Sequence, residues 1–365
     1  MTIHAATNRL LTPAAGCDCR TCPFFADSPG AAEPICSGRN AGCSYCGCAQ
    51  AEWSAPSGAC RECPVRCGSR VDIHQWMADV RGTLLFDDIP APAPLPNGIP
   101  GFIPAVDGVA TALDAQASWP AYAITMRRVF SQRTNTLTAM WQTGTARDVL
   151  RIPDERLVVL SGYGEDPLVE AFWTHRRQVY PLLAEKAFDL VLAPNFSMYA
   201  NQPRTEHLLN FRRNLLVAAE MIEAGIPAVP NIYWLRKEDL DRYLAWADDV
   251  EPDALAINLQ TFRHETDDWR GIVLPGLAYL ADRLPSDIRL VINGTVTPQR
   301  VTQLCTLFDR PRLVFLSQRQ IQMARHGEVM RPDGTVAQLY ARPEHAFAAS
   351  VANTAALIDS IATTV

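Results

Sequence analysis

Lysine is nearly missing from this sequence. Lys186 and Lys237 are the only two in 365 residues, so arginine supplies almost all the positive charge. Arginine forks can grip phosphate or carboxylate. A net charge of −6 nevertheless excludes a strongly basic nucleic-acid glove. It leaves room for a local basic groove. No apolar run approaches the roughly 18 residues that a membrane helix needs. Met1–Gly16 lacks the basic end and apolar stretch of a signal peptide. These absences predict no membrane partner and a cytoplasmic location. There is no Gly-rich Rossmann fingerprint, no Walker loop, no His-Glu-x-x-His and no Ser-His-Asp arrangement. No histidine lies between His4 and His74, which excludes mixed Cys/His zinc fingers there.

Cysteine is abundant and localised. Ten of the eleven lie between Cys17 and Cys67. They are Cys17, Cys19 and Cys22; Cys36; Cys43, Cys46 and Cys48; and Cys60, Cys63 and Cys67. In a cytoplasmic protein structural disulfides are disfavoured, and clustered thiols read as metal ligands. A two-residue gap lets two thiolates turn toward one metal, so each group is a knuckle. Cys22-Pro23 and Cys63-Pro64 fit the proline habit of iron–sulfur ligands. Cys46-Gly47 and Cys67-Gly68 fit zinc knuckles. The favoured cofactor is an iron–sulfur cluster, one or two of the 4Fe–4S type, with zinc as the alternative. Cys305 stands alone and reads as a small buried core residue.

The chain is expected to divide into three parts: a cysteine-rich metal-binding segment at 1–87, a Pro-rich connector at 88–104, and an α/β domain at 105–365. Ile73, Trp76, Met77 and Val80 sit at helical spacing and predict a helix over 68–87. Proline density after Ile89 favours an extended strap lying on the surface. From 156 onward short β-rich runs alternate with amphipathic segments. The strands are expected at 156–160, 190–193, 228–232, 254–259, 289–292 and 312–316, and 122–130 and 136–141 could each be a strand or a short helix. The helices are expected near 166–186, 204–224, 237–249, 267–284 and 298–309, with a last one at 343–362. Six βα units imply a parallel sheet, read as a TIM-like, possibly partial, parallel barrel, with a doubly wound sheet as the alternative.

Parallel α/β domains bind ligands where strands end and helices begin. Four predicted strands end near an asparagine: Asn195, Asn231, Asn258 and Asn293. Asparagine both donates and accepts, so a ring of them can read a neutral heterocycle or sugar. Each could equally cap a helix or support a turn. Gly162, Gly164, Ser197 and Tyr199 complete the candidate substrate-binding set. Glu165, Asp166 and His264 are the candidate general acids or bases. Glu165 and Asp166 could also be first-turn and capping acids of the next helix. Tyr199, Tyr233 and Trp234 could stack a flat substrate, with core packing the plainer role for Trp234. Arg212 and Arg213 are expected on a solvated helix face.

Two resemblances attach to these residues. Cys36-x6-Cys43-Ser44-Tyr45-Cys46 is similar in part to the cluster loop of radical S-adenosylmethionine enzymes, with Arg39 standing where their first cysteine falls. Ser161-Gly162-Tyr163-Gly164-Glu165-Asp166-Pro167 is similar to their Gly-Gly-Glu-Pro turn, with two extra residues inside it. The likeness implies S-adenosylmethionine as a further cofactor. Pro194-Asn195-Phe196-Ser197-Met198-Tyr199, Pro203 and Gly225-Ile226-Pro227-Ala228-Val229-Pro230-Asn231-Ile232-Tyr233-Trp234 resemble an uncharacterised family common in phages and mobile elements. That likeness extends loosely over 156–320 and implies no known activity.

Three readings follow. The first is an iron–sulfur enzyme, redox or radical-type, acting on a polar small molecule or nucleotide at the strand ends. The second is a zinc-bearing, non-catalytic protein associated with nucleic acid in a mobile element. The third is a metal that only staples the N-terminal segment. Residues 1–80 hold six arginines against seven acids, a balance that speaks against tight phosphate binding by that segment.

Overall fold

The computed structural model describes residues 66, 72–110, 118–199, 204–262, 268–339 and 342–364. The ten cysteines from Cys17 to Cys67 and His264 lie outside the described residues. The chain forms two compact units, one of 1–86 with 197–213 and one of 87–196 with 214–365.

The larger unit is built on eight parallel strands: β1 (Phe102–Val106), β2 (Ala121–Thr125), β3 (Leu157–Ser161), β4 (Leu190–Leu192), β5 (Ala228–Val229), β6 (Ala254–Asn258), β7 (Arg289–Asn293) and β8 (Leu313–Ser317). Their spatial order is β5-β4-β3-β2-β1-β8-β7-β6, so sequence neighbours are neighbours in space. The two ends meet at a bridge between Asn231 and Ala256. Ile232 N donates to Ala256 O, and Ala256 N donates to Pro230 O, each at 2.9 Å. Only two residues of β5 join the ladder, because Pro227 and Pro230 flank it and have no N–H to donate. The ring is therefore a nearly closed parallel barrel, and the doubly wound alternative is set aside.

β1 is additional to the six strands expected from sequence, and β2 falls at the start of 122–130, a stretch the sequence leaves open between strand and short helix. β1 starts at Phe102, inside the stretch assigned to the connector, and carries Pro104 at its centre. β2 reads Ala-Tyr-Ala-Ile-Thr, with two alanines of low β-propensity. Both features hide a strand from pattern reading. Both also fit the interior, where Ala105, Ala121, Ala123, Ala254 and Ala256 leave space for Val159, Leu190, Leu192, Val291 and Leu316.

Helices follow the strands. They are α1 (Asp166–Ala184), α2 (Arg204–Glu223), α3 (Lys237–Val250), α4 (Leu274–Arg283), α5 (Pro298–Leu307), α6 (Arg319–Arg325) and α7 (Pro343–Thr364). α1 starts with Pro167 in its first turn, where the missing N–H costs nothing. It buries Leu168, Phe172, Val179 and Leu183 at helical spacing. A five-residue π-helical stretch, Trp269–Val273, leads into α4. α6 and the hairpin Glu328–Met330/Val336–Gln338 were not expected from sequence.

Against the expectation that no run approaches membrane length, α7 is long and apolar enough to cross a membrane. It instead packs on α5, α6 and the hairpin. Ala346, Phe347, Ser350, Val351, Thr354, Leu357 and Ile358 form one buried face. Ser350 Oγ accepts from Met330 N at 3.0 Å, and Thr354 Oγ1 accepts from Gln320 Nε2 at 2.9 Å. Those polar partners suit a face that packs on protein.

The Pro-rich connector packs closely on the barrel wall. Ile99 is buried in the barrel interior cluster and Leu95 packs against it. Leu95 N donates to Asp253 Oδ2 at 2.7 Å, and Trp246 Nε1 donates to Ile89 O at 2.9 Å. Asp253 immediately precedes β6, so the strap covers the N-terminal end of the barrel. Cys305, expected in the core, is only half-buried, because it lies off the α5 face formed by Val301 and Leu304.

In the smaller unit the expected 68–87 helix is described only as Ile73–Asp79. It stops because Arg81 and Gly82 take positive φ, and Gly82 N closes on Met77 O at 2.7 Å. Arg212, expected on a solvated face, is fully buried, and its guanidinium donates to Val80 O at 3.3 Å and Leu85 O at 2.8 Å. Arg213 is buried too and donates to Asn210 Oδ1 at 2.9 Å. Their charge made the face read as solvated, whereas backbone carbonyls and an amide oxygen accept hydrogen bonds from them in the interior.

Candidate functional site

Strand alternation decides which residues reach the barrel mouth. Ile103 and Ala105 face inward on β1, so Asp107 follows in phase. The same count gives Thr125 after Ala121 and Ala123, Ser161 and Tyr163 after Val159, and Asn231 after Val229. It gives Asn258 after Ala254 and Ala256, and Asn293 after Val291. The mouth thus carries a polar layer over an apolar interior. Register pairs Thr125 with Ser161 and Asn258 with Asn293. In the ring order β2/β3 and β6/β7 lie on opposite sides, so the two pairs face each other across the mouth.

The layer is only partly satisfied. Tyr163 OH donates to Asn231 Oδ1, and Asn231 Nδ2 donates to Ala193 O, in two tight contacts. Burial pushes the Tyr163 phenol far above its ordinary range, with the Asn231 hydrogen bond opposing, so Tyr163 stays a donor. Asn293 Nδ2 donates to Asn258 Oδ1 at 3.3 Å, and Gln260 N donates to the same oxygen at 3.1 Å. Asn293 Oδ1 and Ser161 Oγ are buried without a hydrogen-bond partner, and so is Thr295 Oγ1 just beyond β7. Native proteins pair nearly all such atoms, so these three are open to a further partner, ordered water or a bound group.

The rim carries charge, and the charge is paired. Asp107 forms ion pairs with Arg325 and, at 3.6 Å, with Arg128. Arg127 pairs with Glu165 at 2.9 Å, both well exposed. Beside Asn258 a small recess opens between Tyr233, Trp234, Ile257, Leu259, Phe262 and Val273, and Ile257 and Leu259 are out of phase with the inward layer. Trp234 is buried and donates to Ile272 O at 3.0 Å, so it is a wall that does not move freely.

The sequence-derived candidates therefore separate. Asn231, Asn258 and Asn293 come together in the inward layer. Asn231 is spent on Tyr163 and Ala193, which makes it a brace. Asn195 falls out of phase with Leu190 and Leu192. Glu165 and Asp166 open α1 at the rim, where Glu165 is the N-cap residue without a side-chain cap bond. Gly162 is explained by packing, since a Cβ there would lie 2.4 Å from Leu192 O. Gly164 is exposed and would meet only the Leu168 side chain. Ser197 and Tyr199 belong to the smaller unit. There Ser197 O accepts from Asn210 Nδ2 at 2.9 Å, Tyr199 O contacts His207 Nε2 at 2.8 Å, and the Tyr199 side chain is exposed. Asp107, Thr125, Arg127, Arg128 and Ser161 are additions. The alternation Ile103-x-Ala105-x-Asp107 and Ala121-x-Ala123-x-Thr125 would have revealed the first two.

The smaller unit holds one described residue of the cysteine region. Arg66 precedes Cys67, and its N and Nη1 donate to the two Glu206 oxygens at 2.6 and 2.7 Å. Its guanidinium stacks 4.3 Å over Trp76, and Asn210 Nδ2 also donates to Glu206 at 3.1 Å. Removing the charge with Glu206→Gln is expected to lower stability by about 1.5–3 kcal/mol. Denaturant unfolding followed by tryptophan fluorescence checks it; no change would show that Glu206 does not hold Arg66. Among the described residues no group of three or more His, Cys, Asp or Glu side chains could hold a metal.

No curated protein matches the chain. Two solved structures share a similar trace at low overlap. One is described as a "4-hydroxy-2-oxoglutarate aldolase/2-deydro-3-deoxyphosphogluconate aldolase from TTHB1", at 15% identity over 71% of this chain and 94% of that one, with a TM-score of 0.38. The other is a native KDPGal structure, at 14% identity over 74% of this chain and all of that one, also at 0.38. Residues 129–308, from shortly after β2 to just past α5, match a family described as a domain of unknown function, DUF4417.

Proposed function

We propose that this chain is an iron–sulfur protein whose barrel mouth binds a polar, uncharged substrate for a redox or S-adenosylmethionine-dependent reaction. The observation that carries the substrate half is the pair of buried, unpartnered atoms, Ser161 Oγ and Asn293 Oδ1, on opposite sides of the mouth. The cysteine spacing supports the cofactor half. A cluster held by those thiolates would exchange single electrons. Asn258, Asn293, Ser161 and Thr125 orient the substrate, and Tyr163 and Asn231 brace that floor. Glu165 and Asp166 stand at the rim for proton exchange with a bound group, and Arg127 pairs with Glu165 there.

Protein purified without air is expected to be brown and to contain iron and acid-labile sulfide in stoichiometric amounts. Replacing Cys43 and Cys46 with serine is expected to remove most of that iron. Colourless protein carrying zinc would overturn the iron–sulfur reading in favour of the zinc one. Reduced holoprotein given S-adenosylmethionine is expected to release 5′-deoxyadenosine if the chemistry is radical-type; without that product the reaction is a plain redox one.

A further inference from the structure

The strand ladders fix which mouth residues share a level. Followed from pair to pair around the ring, the register returns to β1 eight residues from its start. A barrel of that shear stacks inward side chains in layers of four, taken from alternate strands. Ala123, Leu192, Ala256 and Leu316 form one such layer, and all four lie in the interior cluster. The next layer toward the mouth is Ala105, Ser161, Asn231 and Asn293, in phase with β1, β3, β5 and β7. All four residues are 0% exposed. Ser161 Oγ and Asn293 Oδ1 thus lack both a hydrogen-bond partner and access to solvent.

Tyr163 closes one side of this layer from above. It stands two residues past Ser161 in the same inward phase, belongs to the interior cluster and is buried. Its hydroxyl donates to Asn231 Oδ1, so the ring runs from the β3 side of the opening to the β5 side. The backbone on either side of it differs. Gly162 is pinned by its N–H on Leu192 O at 2.8 Å. Gly164 is exposed, and a Cβ there would meet the flexible Leu168 side chain.

Resting on the proposed mouth as the binding site, we propose that Tyr163 is a movable cover over it, latched shut by Asn231. Burial of the ring and the Asn231 bond hold the cover down. The unanswered Ser161 hydroxyl beneath it works against them, because a buried polar group without a partner destabilises the state that buries it. Rotating the ring away from Asn231 admits water or a substrate's hydroxyl, amide or carbonyl group to Ser161 Oγ. A ligand that answers this hydroxyl therefore holds the mouth open, by binding only the state in which it is reachable.

The test is amide hydrogen exchange, read by mass spectrometry, on the full-length protein purified without air. Tyr163→Phe keeps the ring and removes the latch. It is expected to speed exchange over 160–164 by about tenfold or more. Exchange in β7, across the ring, is expected to stay as in the wild type. Ser161→Ala deletes the unanswered hydroxyl and is expected to act the other way, slowing exchange over 160–164 and raising the thermal midpoint. The double variant is expected to fall between the two singles. A brace with no covering role predicts a different pattern. Tyr163→Phe would then speed exchange equally around the barrel or leave it unchanged, and either result overturns the cover. Faster exchange or a lower midpoint in Ser161→Ala also overturns it, since the hydroxyl would then be answered while the mouth is shut. That arm stands even where Tyr163→Phe does not fold. Neither readout uses a cofactor. Iron-free protein with the expected pattern overturns only the iron–sulfur reading, and iron-bearing protein without it overturns only the cover.

Discussion

Glu220→Ala is expected to lower the unfolding free energy by about 3–5 kcal/mol, because it strands a buried guanidinium. Arg176 on α1 is 3% exposed and Glu220 on α2 is 8% exposed. Arg176 Nε donates to Glu220 Oε2 at 2.6 Å, and Tyr180 OH donates to the same oxygen at 3.1 Å. Arg176 also donates to Trp173 O at 2.7 Å and stacks 3.7 Å over the Trp173 ring. Trp173 in turn meets Phe196 edge-on at 5.3 Å. Burial, and then the Glu220 charge, push the Tyr180 phenol well above its ordinary value, so it remains a donor to that carboxylate. The double variant Arg176→Met/Glu220→Leu removes both charges and fills the space. It is expected to recover most of the loss, since a buried ion pair and a well-packed apolar pair are close in energy. Urea unfolding of the wild type, both singles and the double gives the coupling. A Glu220→Ala loss under about 1 kcal/mol would mean the pair is solvated, as surface pairs are.

Gly162→Ala is the second large effect. Its Cβ would lie 2.4 Å from Leu192 O and 2.6 Å from Pro194 N, both backbone atoms. These atoms cannot easily give way. Gly162 N donates to Leu192 O at 2.8 Å, and β4 is hydrogen-bonded to strands on both sides. Either β3 and β4 separate or the turn after Ser161 shifts, at a cost of about 1–3 kcal/mol or more. The shift would also carry Ser161 and Tyr163 away from the mouth, so ligand affinity should fall together with stability. Gly271→Ala is the control: nothing lies within 4 Å of the added carbon. Its removal of unfolded-state freedom should leave stability unchanged or raise it by about 0.4–1 kcal/mol. Equal behaviour of the two variants in thermal unfolding would show that the β3–β4 approach is looser than described.

The six strands from Leu157 to Ser317 were legible because β-branched runs alternate with long amphipathic helices. β1 was not, and β2 stayed open between strand and short helix, because alanine and proline obscure a strand whose side chains must be small to fit a barrel interior. That removed Asp107, Thr125 and the Arg127–Arg128 rim from view. Asparagine at 231, 258 and 293 was visible as a recurrence, but sequence could not separate the brace Asn231 from Asn258 and Asn293. That difference lies in which partner each amide finds, and the partners come from other strands.

Composition and spacing alone determined that this is an α/β chain with successive parallel βα units and a thiol-rich N-terminal segment. They do so because periodicity and ligand spacing are local properties of the chain. Ring closure at Asn231–Ala256, burial of Arg176, Arg212 and Arg213, and the two unanswered atoms at the mouth were decided only by tertiary structure. Each depends on which distant carbonyl, carboxylate or amide arrives at a buried polar group, and local pattern carries no record of that arrival.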